Sequence, residues 1–289
     1  MTRFFTETFR YILLQYTSTS FWIKKNKTKD QSNVIITLTT LPSRVEGLKA
    51  TLNSLTNQSL LPEKIILNLP KVSKREKVGY QIPSFLKDHP LVYINETEED
   101  LGPATKLLPT LELYKNELDK QIIVLDDDQI YPKKLVENYI KYGKELPNSA
   151  LTLCGWTLPK NFKHNDREQI FGAIVRLYRK DESISKPLQV DCLQGASSYA
   201  VKPKLFDQAV FDYSDAPKEA FFVDDIWFGG QLAKKGISVF IVPISSRFGR
   251  LRSIKQFYEE SLSRKINTNG HNNDTLYQYF KSYWWSLNK

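Results

Sequence analysis

Four short apolar runs constrain this chain more than any other feature: Asn33–Thr40 (NVIITLTT), Lys64–Pro70 (KIILNLP), Leu91–Asn95 (LVYIN) and Gln121–Leu125 (QIIVL). Their near-continuous, largely β-branched hydrophobicity is that of strands covered on both faces, as in parallel sheets. Stretches of helical period separate them. One follows the loop Leu41-Pro42-Ser43-Arg44 and runs to about Asn57, another covers Leu107–Leu118, and a third is expected over Tyr131–Leu146. Strands alternating with helices at this spacing predict an α/β fold with a doubly wound, mostly parallel, Rossmann-like sheet. A chain of 289 residues with 41% hydrophobic content can fill one enlarged domain of this kind.

In such sheets ligands bind beyond the carboxyl ends of the strands. The tracts that follow the apolar runs are Thr39–Arg44, Asn68–Pro70, Glu96–Lys106 and Asp126–Asp128. All are polar or charged, and the fold predicts that they converge at one rim. From about Ala150 onward the alternation loosens, as expected of a half that binds a second substrate.

Asp126, Asp127 and Asp128 follow the apolar Ile122–Leu125 directly. Adjacent carboxylates at a strand end repel one another unless a cation or several donors lie near. Hard divalent cations take oxygen ligands, and Mg²⁺ is commonly held by one or two carboxylates together with substrate phosphates. Capping of the following helix would account for one Asp, not three. A second acidic pair, Asp224-Asp225, is set among Phe221, Phe222, Val223, Ile226 and Trp227 and precedes a helical run at Gln231–Lys235. Desolvation there would raise a carboxyl pKa toward the range useful for proton abstraction; helix capping is the alternative.

The strand ending in Asp126-Asp127-Asp128 resembles the DxD motif of GT-A nucleotide-sugar glycosyltransferases, with the inverting, family-2-like members the nearest in pattern. The resemblance spans roughly residues 33–275 and rests on short motifs in the right order. It implies a nucleotide-binding half at 31–130 and an acceptor half at 131–289 that ends in a closing segment, together forming a catalytic domain at 31–289. Thr39, Thr40, Arg44 and Asn68 correspond to the nucleoside-contacting rim. In Glu99–Lys106, Asp100 takes the place of the residue that reads base or ribose, and Lys106 that of the one approaching the diphosphate. Asp126 and Asp127 correspond to donor-contacting acids, and Asp126, Asp128 and His271 to the shell of Mn²⁺ or Mg²⁺. Asp225, with Asp224 beside it, matches the base that deprotonates the acceptor. Gln194, Gly195 and Ala196 correspond to the lining of the sugar pocket. Trp156, after the apolar Ala150–Gly155, is a candidate for stacking on a sugar face, with an ordinary core role as the alternative.

The implied reaction is metal-dependent transfer of a sugar, UDP-linked in the expected case, to a glycan or other hydroxyl. A nucleotidyltransferase is one alternative, although Leu41-Pro42-Ser43-Arg44 lacks the Gly-rich phosphate loop expected there. A catalytically silent protein of the same fold is another. Arg247, Arg250 and Arg252 are further candidates for phosphate neutralisation.

The net charge of +9 is carried at the ends. Residues 1–30 hold six basic and two acidic side chains, residues 246–289 eight and three, and the stretch between them is neutral. This suits an anionic phosphate or a membrane surface better than a nucleic-acid groove, which wants a continuous basic stripe. Residues 1–30 read as an amphipathic helix and a basic linker. Phe5, Phe9, Ile12, Leu13 and Tyr16 recur at helical spacing, while Arg3, Glu7 and Arg10 break the run short of the roughly 18–20 apolar residues a span needs. The helix is expected to pack on the domain, with lying on a membrane as the alternative, and not to cross one, in a cytoplasmic protein with peripheral membrane contact as a further expectation. Cys154 and Cys192 have no metal spacing and are expected to be reduced core thiols.

Overall fold

The computed structural model of the chain describes residues 2–171, 184–244 and 270–288. Strands β1 (Ile35–Thr39), β2 (Lys64–Pro70), β3 (Val92–Thr97) and β4 (Ile122–Val124) form in the predicted places. They pair in parallel in the order β3-β2-β1-β4. The helical connections α3 (Lys49–Thr56), α4 (Ser84–Lys87) and α5 (Leu108–Leu113) lie between them in sequence. Alternate strand residues feed two cores. Ile35, Ile66, Ile122 and Val124 face one apolar cluster, and Ile36, Ile65, Leu67, Ile123 and Leu125 face the other. Both faces of β1, β2 and β4 are thus covered, which is why these strands show no polar alternation, while β3, at the sheet edge, is half-exposed.

After α6 (Leu135–Glu145) the sheet becomes mixed. β10 (Tyr199–Val201) inserts antiparallel between β4 and β5 (Ala150–Thr152), and β11 (Val239–Ile241) is parallel to β5. β8 (Leu188–Val190) closes the edge antiparallel to β11, giving the eight-strand order β3-β2-β1-β4-β10-β5-β11-β8. A small antiparallel sheet of β7 (Gln169–Phe171), β6 (Cys154–Trp156) and β9 (Cys192–Leu193) stands beside it. The architecture is α/β with a large, mostly parallel sheet. Both cysteines are buried free thiols.

Two helices differ from expectation at their starts. α6 begins at Leu135 rather than Tyr131, and its N-cap is Lys134. Asp126–Asp128 therefore do not cap it. α7 (Asp224–Lys234) begins at the second acidic pair itself, with Val223 at the cap position and no capping side-chain bond. Asp224 and Asp225 sit in its first turn, where the helix dipole favours negative charge.

The amino-terminal segment forms α1 (Thr2–Tyr16) and α2 (Thr19–Asn26), packed against α3. Leu14 and Trp22 are buried with Ala50 and Ile130. Asn53 Nδ2 donates to the carbonyls of Leu14 (2.7 Å) and Thr17 (3.2 Å), and Arg10 donates to that of Tyr131. The segment packs as expected, but not by the expected stripe: Phe9, Ile12, Leu13 and Tyr16 are exposed. Among the described residues no helix is long and apolar enough to cross a membrane.

Candidate active site

The polar tracts do meet at one rim, and Lys106 is at the centre. It ends the 3-10 turn Gly102–Lys106. Its carbonyl accepts from Thr37 Oγ1 at 2.6 Å, and its Nζ lies 3.0 Å from Asp126 Oδ1 and 2.9 Å from Asp224 Oδ2. Burial alone would lower the Lys106 pKa, but Asp126, Asp224 and Asp225 more than offset it and hold the amine well above its usual value. The ammonium is a fixed positive charge joining the two acidic clusters.

Asp127 has a separate cation. Arg44 Nη1 is 3.3 Å from Asp127 Oδ1, and Thr40 Oγ1 donates to Oδ2 at 2.7 Å. Burial still raises this carboxyl's pKa, against the pull of Arg44 and Thr40. The tract's backbone is held as firmly. Thr51 Oγ1 donates to the carbonyls of Asp127 (2.9 Å) and Gln129 (2.7 Å). Tyr131 Oη accepts from the Asp126 amide (2.9 Å) and donates to the Asp126 carbonyl (3.0 Å). Sequence reasoning missed Thr51, Gln129 and Tyr131, for which no local pattern distinguishes a support from an ordinary helix or turn residue.

Part of the compensation that the three acids need comes from the protein's own cations: Lys106 pairs with Asp126 and Arg44 with Asp127. Compensation is nevertheless partial. Burial still raises the Asp127 and Asp225 pKa values against the pull of Arg44 and Lys106. Adjacent carboxylates at a strand end supply the oxygen ligands that a hard divalent cation takes.

Asp225 is held by the turn between β9 and β10. The Gly195 amide donates to its Oδ1 at 2.9 Å. A Cβ on Gly195 would stand 2.7 Å from Asp225 Oδ1 and 2.8 Å from Lys106 Nζ, so only glycine lets this backbone approach the acid and the lysine together. The turn closes through Ser198, whose φ of 113° is left-handed and whose Oγ bonds Tyr139 Oη at 2.8 Å. Gln129 Nε2 donates to the Ala196 carbonyl, tying this turn to the first acidic tract. Gln194 begins the turn and is half-buried. Burial, then the negative charge of Asp224, pushes the Asp225 pKa up to about 8, against the opposing pull of Lys106.

Other expected residues have different placements. Thr39 Oγ1 donates to the Asn68 carbonyl at 2.8 Å, fastening β1 to β2. Asn68 is fully buried. Its Nδ2 donates to Thr37 Oγ1 and Thr110 Oγ1, each at 3.0 Å, and its Oδ1 accepts from Asn95 at 2.7 Å. Its side chain is spent on holding the turn that presents Lys106, which corrects its expected place on the nucleoside rim. Asp100 accepts from the Gly102 amide and the Lys74 amide, both at 2.7 Å, and so shapes two loops of the rim.

Trp156 is likewise corrected. The ring is buried, its Nε1 donates to Tyr277 Oη at 2.8 Å, and Arg167 lies over it at 5.2 Å, so no face is open for a sugar. His271 starts α8 (His271–Tyr279) and is largely exposed, with Nε2 3.9 Å from Glu219 Oε1. Among the described residues, no group of three or more His, Cys, Asp or Glu is arranged to hold a metal ion, so the trio Asp126, Asp128 and His271 is not assembled. Arg247, Arg250 and Arg252 lie outside the described residues.

Two acidic segments remote in sequence, a buried lysine between them and a glycine-bonded carboxyl with a raised pKa are the ingredients of a site for a cation and for proton transfer. No protein-family model matches the chain, and no curated protein matches it.

Proposed function

We propose that this protein is a metal-dependent glycosyltransferase of the GT-A type that moves a sugar from a nucleoside diphosphate sugar, UDP-linked in the first instance, to an acceptor hydroxyl with inversion. The observation that carries this is the meeting of both acidic clusters on Lys106 Nζ at the carboxyl rim of the parallel strands. Asp224 is buried, and burial keeps the Asp225 proton on to about pH 8, a desolvation cost that one lysine offsets only in part. Such a group serves a charged ligand better than it serves stability.

Asp126 and Asp128 would hold Mn²⁺ or Mg²⁺ with the donor phosphates. The ion, when bound, neutralises the leaving diphosphate. Lys106 and Arg44 add fixed positive charge beside it. Asp225, oriented by the Gly195 amide on Oδ1, takes the acceptor's proton on Oδ2 as the hydroxyl attacks the anomeric carbon and the nucleoside diphosphate leaves. Thr40, bonded to Asp127, lines the nucleoside side of the rim.

The test is release of nucleoside diphosphate from a panel of nucleotide sugars with Mn²⁺ and with chelator. Metal-dependent release, increased by an acceptor, is expected. Pyrophosphate from a nucleoside triphosphate and a sugar phosphate would instead indicate a nucleotidyltransferase, and turnover of neither would indicate a silent binding protein.

A further inference from the structure

Helix α1 is docked the wrong way round for a helix whose only role is to complete the core. Its inward side carries Leu14 and the half-buried Tyr11, together with Arg10 bonded to the Tyr131 carbonyl. Its outward side carries Phe9, Ile12, Leu13 and Tyr16, spaced i, i+3, i+4 and i+7, with Phe9 67% and Tyr16 80% exposed. A surface helix of a folded domain normally turns such a stripe inward. Phe21 on α2 extends the exposed apolar surface, at 47%.

Cations accompany this surface. Lys24, Lys25 and Lys27 are exposed, and the Lys25 ammonium sits 5.7 Å from the centroid of the exposed Phe21 ring, so apolar and positive groups share one patch. Residues 1–30 carry six basic and two acidic side chains. An apolar stripe flanked by lysines is the composition that enters the headgroup boundary of an anionic bilayer. Association with a second copy of the chain fits less well, because a two-fold contact would bring the lysine clusters of both copies together.

We infer that the outward face of α1 and α2 is a docking surface for an anionic membrane, one that holds the domain at the bilayer without a span. The Phe9, Ile12, Leu13 and Tyr16 side chains enter the acyl boundary, and Lys24, Lys25 and Lys27 meet the lipid phosphates. The buried Leu14, Trp22 and Asn53 contacts fix the helix to the domain, so the catalytic rim is carried with it.

The experiment is flotation of the full chain with vesicles of phosphatidylcholine alone and of phosphatidylcholine with phosphatidylglycerol, at low and high salt, beside gel filtration over a range of concentrations. The wild type is expected to float with the anionic vesicles only, less so in high salt. Lys24→Gln/Lys25→Gln/Lys27→Gln should weaken partitioning on the order of a hundredfold. Phe9→Ser/Ile12→Ser/Tyr16→Ser, at exposed positions that leave the fold intact by circular dichroism, should weaken it at least roughly tenfold. Equal flotation with neutral vesicles, no flotation, or undiminished flotation of the serine variant would overturn the inference. So would a wild-type dimer that the serine variant converts to monomer, since the face would then be a contact between copies. None of these outcomes depends on nucleotide-sugar turnover.

Discussion

Asp225→Asn should lower glycosyl transfer by roughly 10²- to 10⁴-fold while leaving donor binding nearly unchanged, the range expected when a general base is removed from a site that otherwise keeps its shape. The amide is the same size, and its oxygen can still accept from the Gly195 amide, which now holds Oδ1 at 2.9 Å. Lys106 retains Asp126 and Asp224 as partners. What is lost is the proton acceptor. A structural role in the first turn of α7 would tolerate asparagine and keep activity, so near-wild-type turnover would end the assignment. Loss in Asp224→Asn alone would move the role one residue back.

The same variant has a signature that needs no substrate. Burial and Asp224 push the Asp225 pKa from 3.8 up to about 8, so the folded protein keeps this proton to higher pH than the unfolded chain. The resulting contribution to stability is full below about pH 3.8 and drains away as pH rises through about 8. In chelator, Asp225→Asn should therefore melt close to wild type at pH 4 and above it at pH 8. The kcat/KM of the wild type should rise with pH toward the same region. A divalent cation beside Asp126 should move that rise to lower pH, since positive charge favours the carboxylate.

Lys106→Met should be the most destabilising single change at the site. The lysine is buried and is the shared partner of Asp126 and Asp224. Removing one member of a buried ionic group typically costs about 3–5 kcal/mol, because the charges left behind are neither solvated nor paired. The loss should be greatest near pH 8, where the acids would have to be ionised, and smaller near pH 5, where protonation relieves them. Chemical denaturation at the two pH values measures the difference. A uniform, small loss at both would mean that the lysine is not what balances the acids. A divalent cation should recover part of the stability at the higher pH.

The parallel half of the fold was legible because each of its strands is a near-continuous apolar run followed by a polar or charged tract. Lys64–Pro70 forms β2 over its whole predicted length, and β1, β3 and β4 fall within a few residues of expectation. The second half was not. β9 has two residues, and β5, β6, β8, β10 and β11 have three each, too few to show a period. The insertion of β10 between β4 and β5 is a long-range pairing that no local pattern encodes.

The site divides in the same way. Asp126–Asp128 and Arg44 could be picked out by charge after a strand, Asp224 and Asp225 as acids set among apolar residues, Lys106 through the family resemblance, and Gly195 lay in a visibly small-residue segment. That Lys106 would join the two clusters depends on the chain path through β9, β10 and α7. Asn68 and Trp156 misled for a related reason. Both follow or occupy strands as site residues do, but burial consumes their hydrogen-bonding groups within the protein. The outward stripe of α1 was visible as a periodicity whose direction only packing decides.

The central claim is that the rim of Asp126 and Asp128 holds a metal-bound nucleoside diphosphate. Calorimetric titration with UDP and UDP-sugars, in Mn²⁺ and in chelator, on the wild type and Asp128→Ala, tests it most directly. Binding in Mn²⁺ that is lost in chelator and in Asp128→Ala is the predicted result. Equal affinity with and without the metal, or an Asp128→Ala variant that binds as the wild type does, would contradict it.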